Sequence, residues 1–176
     1  GEGWLSNGLQ SNLSVIPYDG VPRQDDIEAA FSPSPSPNMP DLETAWNYTG
    51  LCLLEGTNIS EGRGTDSPFK ILGAPWLDNK KLLESLLPLL HENDLIDTVS
   101  FIPRSLPGIS SYPKYKDELC FGIKIQKLED PIKWIINLFK EVESIHPDKF
   151  SFLDSNFIDK LYGSDQLRFV INSDNK

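Results

Sequence analysis

The sequence predicts an α+β fold with a mostly antiparallel or mixed sheet and helices packed on one face, and a split β-α-β order as its first topology. Three observations carry this. Cys120 to Gln126 alternates, with Phe121, Ile123 and Ile125 on one side and Gly122, Lys124 and Gln126 on the other, the pattern of a half-buried strand. Ile132, Ile135, Ile136, Phe139 and Val142 recur at helical spacing behind the cap Asp130-Pro131, and Leu82, Leu83, Leu86, Leu87 and Leu90 do the same behind Asp78. Strands and helices therefore interleave from residue 69 onward as β-α-β, then β-α, then helices.

Taken in order, Leu13 to Pro17 is a short apolar, β-branched run that reads as a strand, closed by an Asp19-Gly20 turn. Residues 31–40 alternate proline with small residues and read as an extended segment, because proline sets φ and turns the residue before it away from helix. That stretch suits a linker or an ordered polyproline wall, with the flanking apolar residues favouring the wall. Asp41 to Trp46 opens a short helix, and Leu51 to Leu54 and Phe69 to Leu72 read as strands. Residues 79–92 form an amphipathic helix kinked at Pro88, Val99 to Ile102 is a strand, and the helix after Asp130 ends near His146-Pro147. Asn156 to Tyr162 and Ser164 to Asn172 are two short helices, with Gly163 between them as a left-handed cap.

With 176 residues, 39% hydrophobic and 10% aromatic content, one domain with a proper core is the expectation over 1–176. A formal charge of −10 with scattered lysines argues against nucleic acid as partner, and no apolar stretch is long enough for a membrane span. Gly1-Glu2-Gly3-Trp4 has neither an initiator Met nor a leader pattern, so the chain reads as starting part-way through a longer protein. Cys52 and Cys120 are too few for a disulfide framework; one bridge and two buried thiols both stay open. The sequons at Asn12, Asn47 and Asn58 read as chance in a Ser- and Asn-rich chain.

The chemistry is concentrated in residues 50–65, GLCLLEGTNISEGRGT. An apolar segment delivers Glu55, and Asn58, Glu61, Arg63 and Thr65 follow within ten residues, spaced by Gly56, Gly62 and Gly64. Glycines let the backbone take positive φ and approach a ligand, and two carboxylates beside a guanidinium suit a polyhydroxylated or carboxylated small molecule. The same residues also make an ordinary solvated turn with a weak Glu–Arg pair. There is no phosphate loop, because no Gly-Lys-Ser/Thr follows, and no Gly-x-Ser-x-Gly surrounds Ser60. His91 and His146 lie near predicted helix ends, where the helix dipole and solvent explain them. No metal-ligand cluster and no cofactor motif is found. Carboxylate chemistry survives: Glu55 and Glu61 are candidate catalytic residues for glycoside hydrolysis, which needs an acid and a base or nucleophile. Equally, Glu55 can orient a neighbouring loop and Glu61 can pair with Arg63.

Pro35-Ser36-Pro37-Asn38-Met39-Pro40, the run from Gly50 to Thr65, Pro68-Phe69 and Gly73-Ala74-Pro75-Trp76 closely resemble the NamZ-like exo-β-N-acetylmuramidases. Residues 115–122 and 161–168 extend the resemblance more weakly, so it spans most of this chain but about the C-terminal half of the family. The resemblance implies a Rossmann-like N-terminal domain of the same protein as partner, joined to a smaller C-terminal domain, with the active-site cleft where they meet. It implies release of N-acetylmuramic acid from the non-reducing end of peptidoglycan fragments in cell-wall turnover, in the bacterial cell envelope, periplasmic or secreted. The family's presumed catalytic glutamate lies in the N-terminal half, outside this chain. Asn38, Glu55, Asn58, Glu61, Arg63 and Thr65 are then substrate-binding: Arg63 would take the lactyl carboxylate through two parallel hydrogen bonds, and Asn58, Thr65 and Glu61 the sugar hydroxyls. Where the family has Gly-Trp-x-Arg this chain has Gly20-Val21-Pro22-Arg23, without the expected aromatic platform. A non-catalytic cell-wall sugar-binding or interaction module is the alternative reading, and an independent hydrolase using Glu55 and Glu61 as its whole catalytic pair a third.

Overall fold

The computed structural model describes residues 12–17, 34, 36–126 and 128–173. Residues 33–176 form one compact unit and 1–32 another, of which only 12–17 are described. The strand expected over Leu13 to Pro17 is not there. Leu13, Val15 and Ile16 are 78–89% exposed, so among the described residues the apolar run has no strand against which to pair and bury. The Asp19-Gly20 turn and the segment Gly20 to Arg23 lie outside the described residues, as does most of 31–35. Residues 36–39 close a tight turn, with the Met39 N–H donating to the Ser36 carbonyl at 2.8 Å.

Helix α1 runs Leu42–Leu51, capped by the Asp41 carboxylate, which accepts from the Thr44 N–H at 2.8 Å. The segment expected as a strand at Leu51 to Leu54 instead ends this helix and enters a 3-10 turn, Cys52–Gly56. Leu51, Leu53 and Leu54 are all buried, and a short apolar run buried on every side carries no period to separate strand from helix. Buried Asn47 ties α1 to the strand end across from it: its Nδ2 donates to the Gln126 carbonyl at 2.8 Å and its Oδ1 accepts from the Leu128 N–H at 3.2 Å. That sequon is therefore a structural bracket.

Strands β1 (Ile71–Ala74), β2 (Ile96–Phe101) and β3 (Cys120–Ile125) form an open antiparallel sheet in the order β1-β3-β2, with Leu72 and Thr98 both opposite Ile123. Both outer strands oppose β3, so they run parallel to each other, joined through helix α2 (Asn79–Leu86) with β3 between them. This is the split β-α-β order. Helix α2 is shorter than the leucine stripe suggests: Pro88 has no N–H to give and converts the end into a 3-10 turn, Leu87–Leu89. In β3, Ile123 and Ile125 are fully buried and Lys124 is exposed as expected, but Phe121 is 38% exposed. Its direct neighbours are the small Ala74 and Ser100, which leave the ring uncovered.

Helix α3 (Pro131–Ile145) lies against α1 and α2 and contributes Trp134, Ile135, Leu138, Phe139 and Val142 to a continuous core shared with Leu72, Leu82, Leu86, Ile123 and Ile125. Each such side chain contributes about 1.5–3 kcal/mol on leaving water. His146 ends α3, and its Nε2 accepts from the Asp78 N–H, at the cap of α2, at 3.0 Å. Burial lowers its pKa from the ordinary value, so the ring acts as a neutral acceptor joining two helix ends, where the sequence suggested a helix-dipole partner. Helices α4 (Phe157–Tyr162) and α5 (Gln166–Ser173) follow, with Gly163 at φ 86° as the expected left-handed cap. Arg168 ties α5 to α4 through a bidentate pair with Asp159, at 3.1 and 2.8 Å. Ile158 of α4 is buried against the 3-10 turn that carries Glu55. Both cysteines are free, and burial pushes the Cys120 thiol up to about 12. Among the described residues, no helix is long and apolar enough to cross a membrane.

Candidate functional site

Glu55 is delivered by the end of the Cys52–Gly56 turn, and the following chain runs back along β1 through paired hydrogen bonds between Ser60 and Gly73, at 2.8 and 3.0 Å. The loop then reverses on Gly62 (φ 78°) and Gly64 (φ 81°). Side chains there would be strained, and a Cβ at residue 64 would sit 2.5 Å from the Arg104 carbonyl oxygen, so the glycines fix the path of the backbone. Phe69, fully buried at φ 56°, closes the loop with its N–H on the Glu61 carbonyl at 2.8 Å. A non-glycine residue held at positive φ costs about 1–3 kcal/mol and persists where its surroundings over-determine it. Here the ring packs edge-on against Tyr48 at 4.8 Å and lies under the Arg63 guanidinium at 5.3 Å.

Glu55, Glu61 and Arg63 converge on one recess of about 200 Å³, together with Ser110, Tyr112, Pro113, Lys114 and Phe157. Arg63 Nη2 lies 3.2 Å from Glu55 Oε2, and Arg63 Nε is 3.8 Å from Glu61 Oε1. The second distance is too long for a hydrogen bond, and Nε is buried with no partner among the described residues. Lys114 closes the other side: its ammonium donates to the Leu54 and Ile59 carbonyls at 2.8 and 2.9 Å and to Glu61 Oε2 at 3.0 Å, which uses all three of its donors. Glu61 is only 5% exposed, so Lys114 is what makes its burial tolerable. Burial pushes the Glu55 carboxyl above the usual carboxylate range; Arg63 and Lys114 pull it down, while the nearby Glu61 adds to the rise. The Tyr48 hydroxyl stands 3.5 Å from Glu55 Oε1.

The other expected site residues build the walls. Asn58 Nδ2 donates to the Lys149 carbonyl at 2.7 Å and its Oδ1 accepts from the Ser151 N–H at 3.0 Å, while its own carbonyl accepts from the Tyr115 hydroxyl at 2.6 Å. Thr65 Oγ1 donates to the Gly62 carbonyl at 2.6 Å and accepts from the Ser67 N–H at 3.1 Å. Asn38 Nδ2 donates to the Ile109 carbonyl at 3.1 Å, one residue from Ser110 at the recess. None of these three lines the recess. Lys114, Tyr112 and Phe157 do line it, and nothing local marks them: they lie in two other segments, and only folding brings them to Glu55.

A small α+β domain with a recess holding two carboxylates, a guanidinium and an ammonium is a domain that can bind a polar ligand carrying both hydroxyl and anionic groups. Residues 46–176 match the family described as "Exo-beta-N-acetylmuramidase NamZ, C-terminal", and the chain belongs to that family. It is 31% identical over 169 residues to "Peptidoglycan beta-N-acetylmuramidase NamZ" of Bacillus subtilis (strain 168), an alignment that covers 93% of this chain and 39% of that protein. The chain thus spans about two fifths of the length of this curated relative. Two crystal structures of DUF1343 family proteins from Bacteroides fragilis NCTC 9343 share the fold. One superposes with a TM-score of 0.58 at 28% identity over 79% of this chain and 35% of its own; the other with 0.68 at 21% identity over 80% and 38%.

Proposed function

We propose that this domain supplies the polar wall of the site at which a peptidoglycan-turnover glycosidase releases non-reducing-end N-acetylmuramic acid, in a cleft completed by an N-terminal Rossmann-like domain in the cell envelope. The observation that supports it most is the convergence of Glu55, Glu61 and Arg63 in one recess of a domain belonging to this family. Arg63 is the part of that set open to an incoming anion: its side chain is 33% exposed, and its Nη2 has a single close carboxylate contact, to Glu55. A lactyl carboxylate arriving there would compete with Glu55 for the guanidinium. Glu55, with its raised pKa, would then be the group best suited to hold a proton beside a sugar oxygen, whereas Glu61 is engaged by Lys114 and serves to orient Arg63. Asn58, Thr65 and Asn38 act through the backbone they brace.

The test is hydrolysis of a chromogenic N-acetylmuramide by this chain alone and fused to a family N-terminal domain. Activity in the fused form only is expected. Activity in the isolated chain would move the catalytic carboxylates onto Glu55 and Glu61. Silence of both, in folded protein, would sink the hydrolase reading and favour a non-catalytic sugar-binding module, which the mutual neutralisation of the two carboxylates by Arg63 and Lys114 also suits. Arg63→Ala is expected to weaken binding of N-acetylmuramic acid far more than of N-acetylglucosamine, about tenfold or more for loss of a charge-assisted pair. Equal losses would remove the carboxylate role.

A further inference from the structure

Tyr112 stands at the mouth of the recess and is 95% exposed, the most exposed of the described large apolar side chains. Its hydroxyl has no hydrogen bond and its ring no aromatic neighbour among the described residues. Isolated exposed apolar residues are common on protein surfaces and usually need no explanation. Here, however, the backbone on both sides is held. Before it, Ser105 Oγ donates to the Ser111 carbonyl at 2.9 Å, and Leu106 and Ser110 are paired. After it, Pro113 is buried against Gly64, the Lys114 ammonium is locked on three oxygens, and the Tyr115 hydroxyl is fixed between Trp76 and the Asn58 carbonyl. Tyr115 is itself at φ 54°. An unpartnered ring on an anchored backbone keeps its contact area available at little entropic cost, which is how tyrosine serves binding surfaces elsewhere.

The floor below is ionic and the rim is aromatic, with Phe157 also at the recess and partly exposed. A pyranose bearing a carboxylate has the matching chemistry, an apolar C–H face and an anionic arm. We propose that Tyr112 is the stacking platform that receives the pyranose face of the saccharide whose carboxylate Arg63 binds. This rests on the reading of the recess given above and deepens it by naming the residue that discriminates a sugar acid from a simple carboxylate. The ring face does the binding, so the hydroxyl is dispensable.

The experiment is an NMR titration of this chain with N-acetylmuramic acid, N-acetylglucosamine and d-lactate, following the Tyr112 ring and the Arg63 side chain. N-acetylmuramic acid is expected to move both sets of signals, and d-lactate only those of Arg63. Tyr112→Ala should weaken N-acetylmuramic acid binding by about tenfold, the scale of a truncated aromatic anchor, while leaving d-lactate binding within about twofold. Tyr112→Phe should bind like the native chain. Arg63 signals that respond while the Tyr112 ring does not, or unchanged sugar affinity in Tyr112→Ala, would overturn the platform and leave the carboxylate site standing. Absence of any Arg63 response to either acid would overturn the reading of the recess, and the platform with it.

Discussion

The two loops that meet at the recess are built on opposite plans. The floor, residues 57–69, is an interior structure without regular secondary elements: Thr57, Ile59, Ser60 and Glu61 are at most 5% exposed, and the side-chain oxygens of Thr57, Asn58 and Thr65 bond to backbone. The rim, residues 104–112, holds one isolated bridge and leaves Ile109 46% and Tyr112 95% exposed. They touch at Gly64, whose carbonyl accepts from the Arg104 N–H at 2.7 Å. The difference teaches what each is suited to. Charges held close together in a poorly solvated place need a backbone that cannot relax away from them, whereas a surface that meets a ligand needs groups without prior partners.

The largest effect should come from the contact itself. Gly64→Val puts a β-branched side chain at φ 81° and against the Arg104 carbonyl, and is expected to cost about 4 kcal/mol in urea unfolding. A loss under about 1 kcal/mol would mean the two loops are not rigidly joined. Next, Lys114→Met should cost about 3 kcal/mol, because it strands buried Glu61 and two carbonyls at once. Smaller again is a pH effect at Glu55. Its folded pKa lies above the unfolded value, so its favourable contribution is fully present below about pH 4.5 and is lost as the pH rises through the raised folded value. Unfolding midpoints of native chain and Glu55→Gln, compared from pH 4 to 7, should therefore diverge with the native chain declining relative to the variant as the pH rises; parallel curves would show that burial does not dominate at Glu55. The smallest effect belongs to the rim: Tyr112→Ala should change stability by no more than about 0.5 kcal/mol, and a larger loss would mean that the ring packs in the fold.

Much of the frame was legible along the chain because it rests on local periodicity and caps. Helix α3 with its Asp130-Pro131 start, the Gly163 cap and the alternating strand β3 each follow from spacing that a reader can count. The misreadings fall where burial is not periodic. Leu51 to Leu54 is surrounded on all sides, so its helical end looked like a strand. Pro88 ended a helix it was expected only to bend. In the candidate site, Glu55, Glu61 and Arg63 were visible as one polar loop, and the structure does bring them to one recess. Asn58 and Thr65 had the right composition for ligand contact, yet the Asn58 amide braces the backbone of Lys149 and Ser151, far along the chain, and the Thr65 hydroxyl the backbone of its own turn, uses that residue type alone does not distinguish.

The sequence by itself determined the α+β class, the order of the elements from residue 69 onward, the loop that carries the charges and the family resemblance, because these depend on residues near one another in the chain. Only the tertiary structure decided that Lys114, 53 residues from Glu61, would hold it and that Tyr112 would stand unpartnered at the mouth. Pairings over such separations are set by how the sheet and helices pack, and their strength comes from the low local polarity that packing creates.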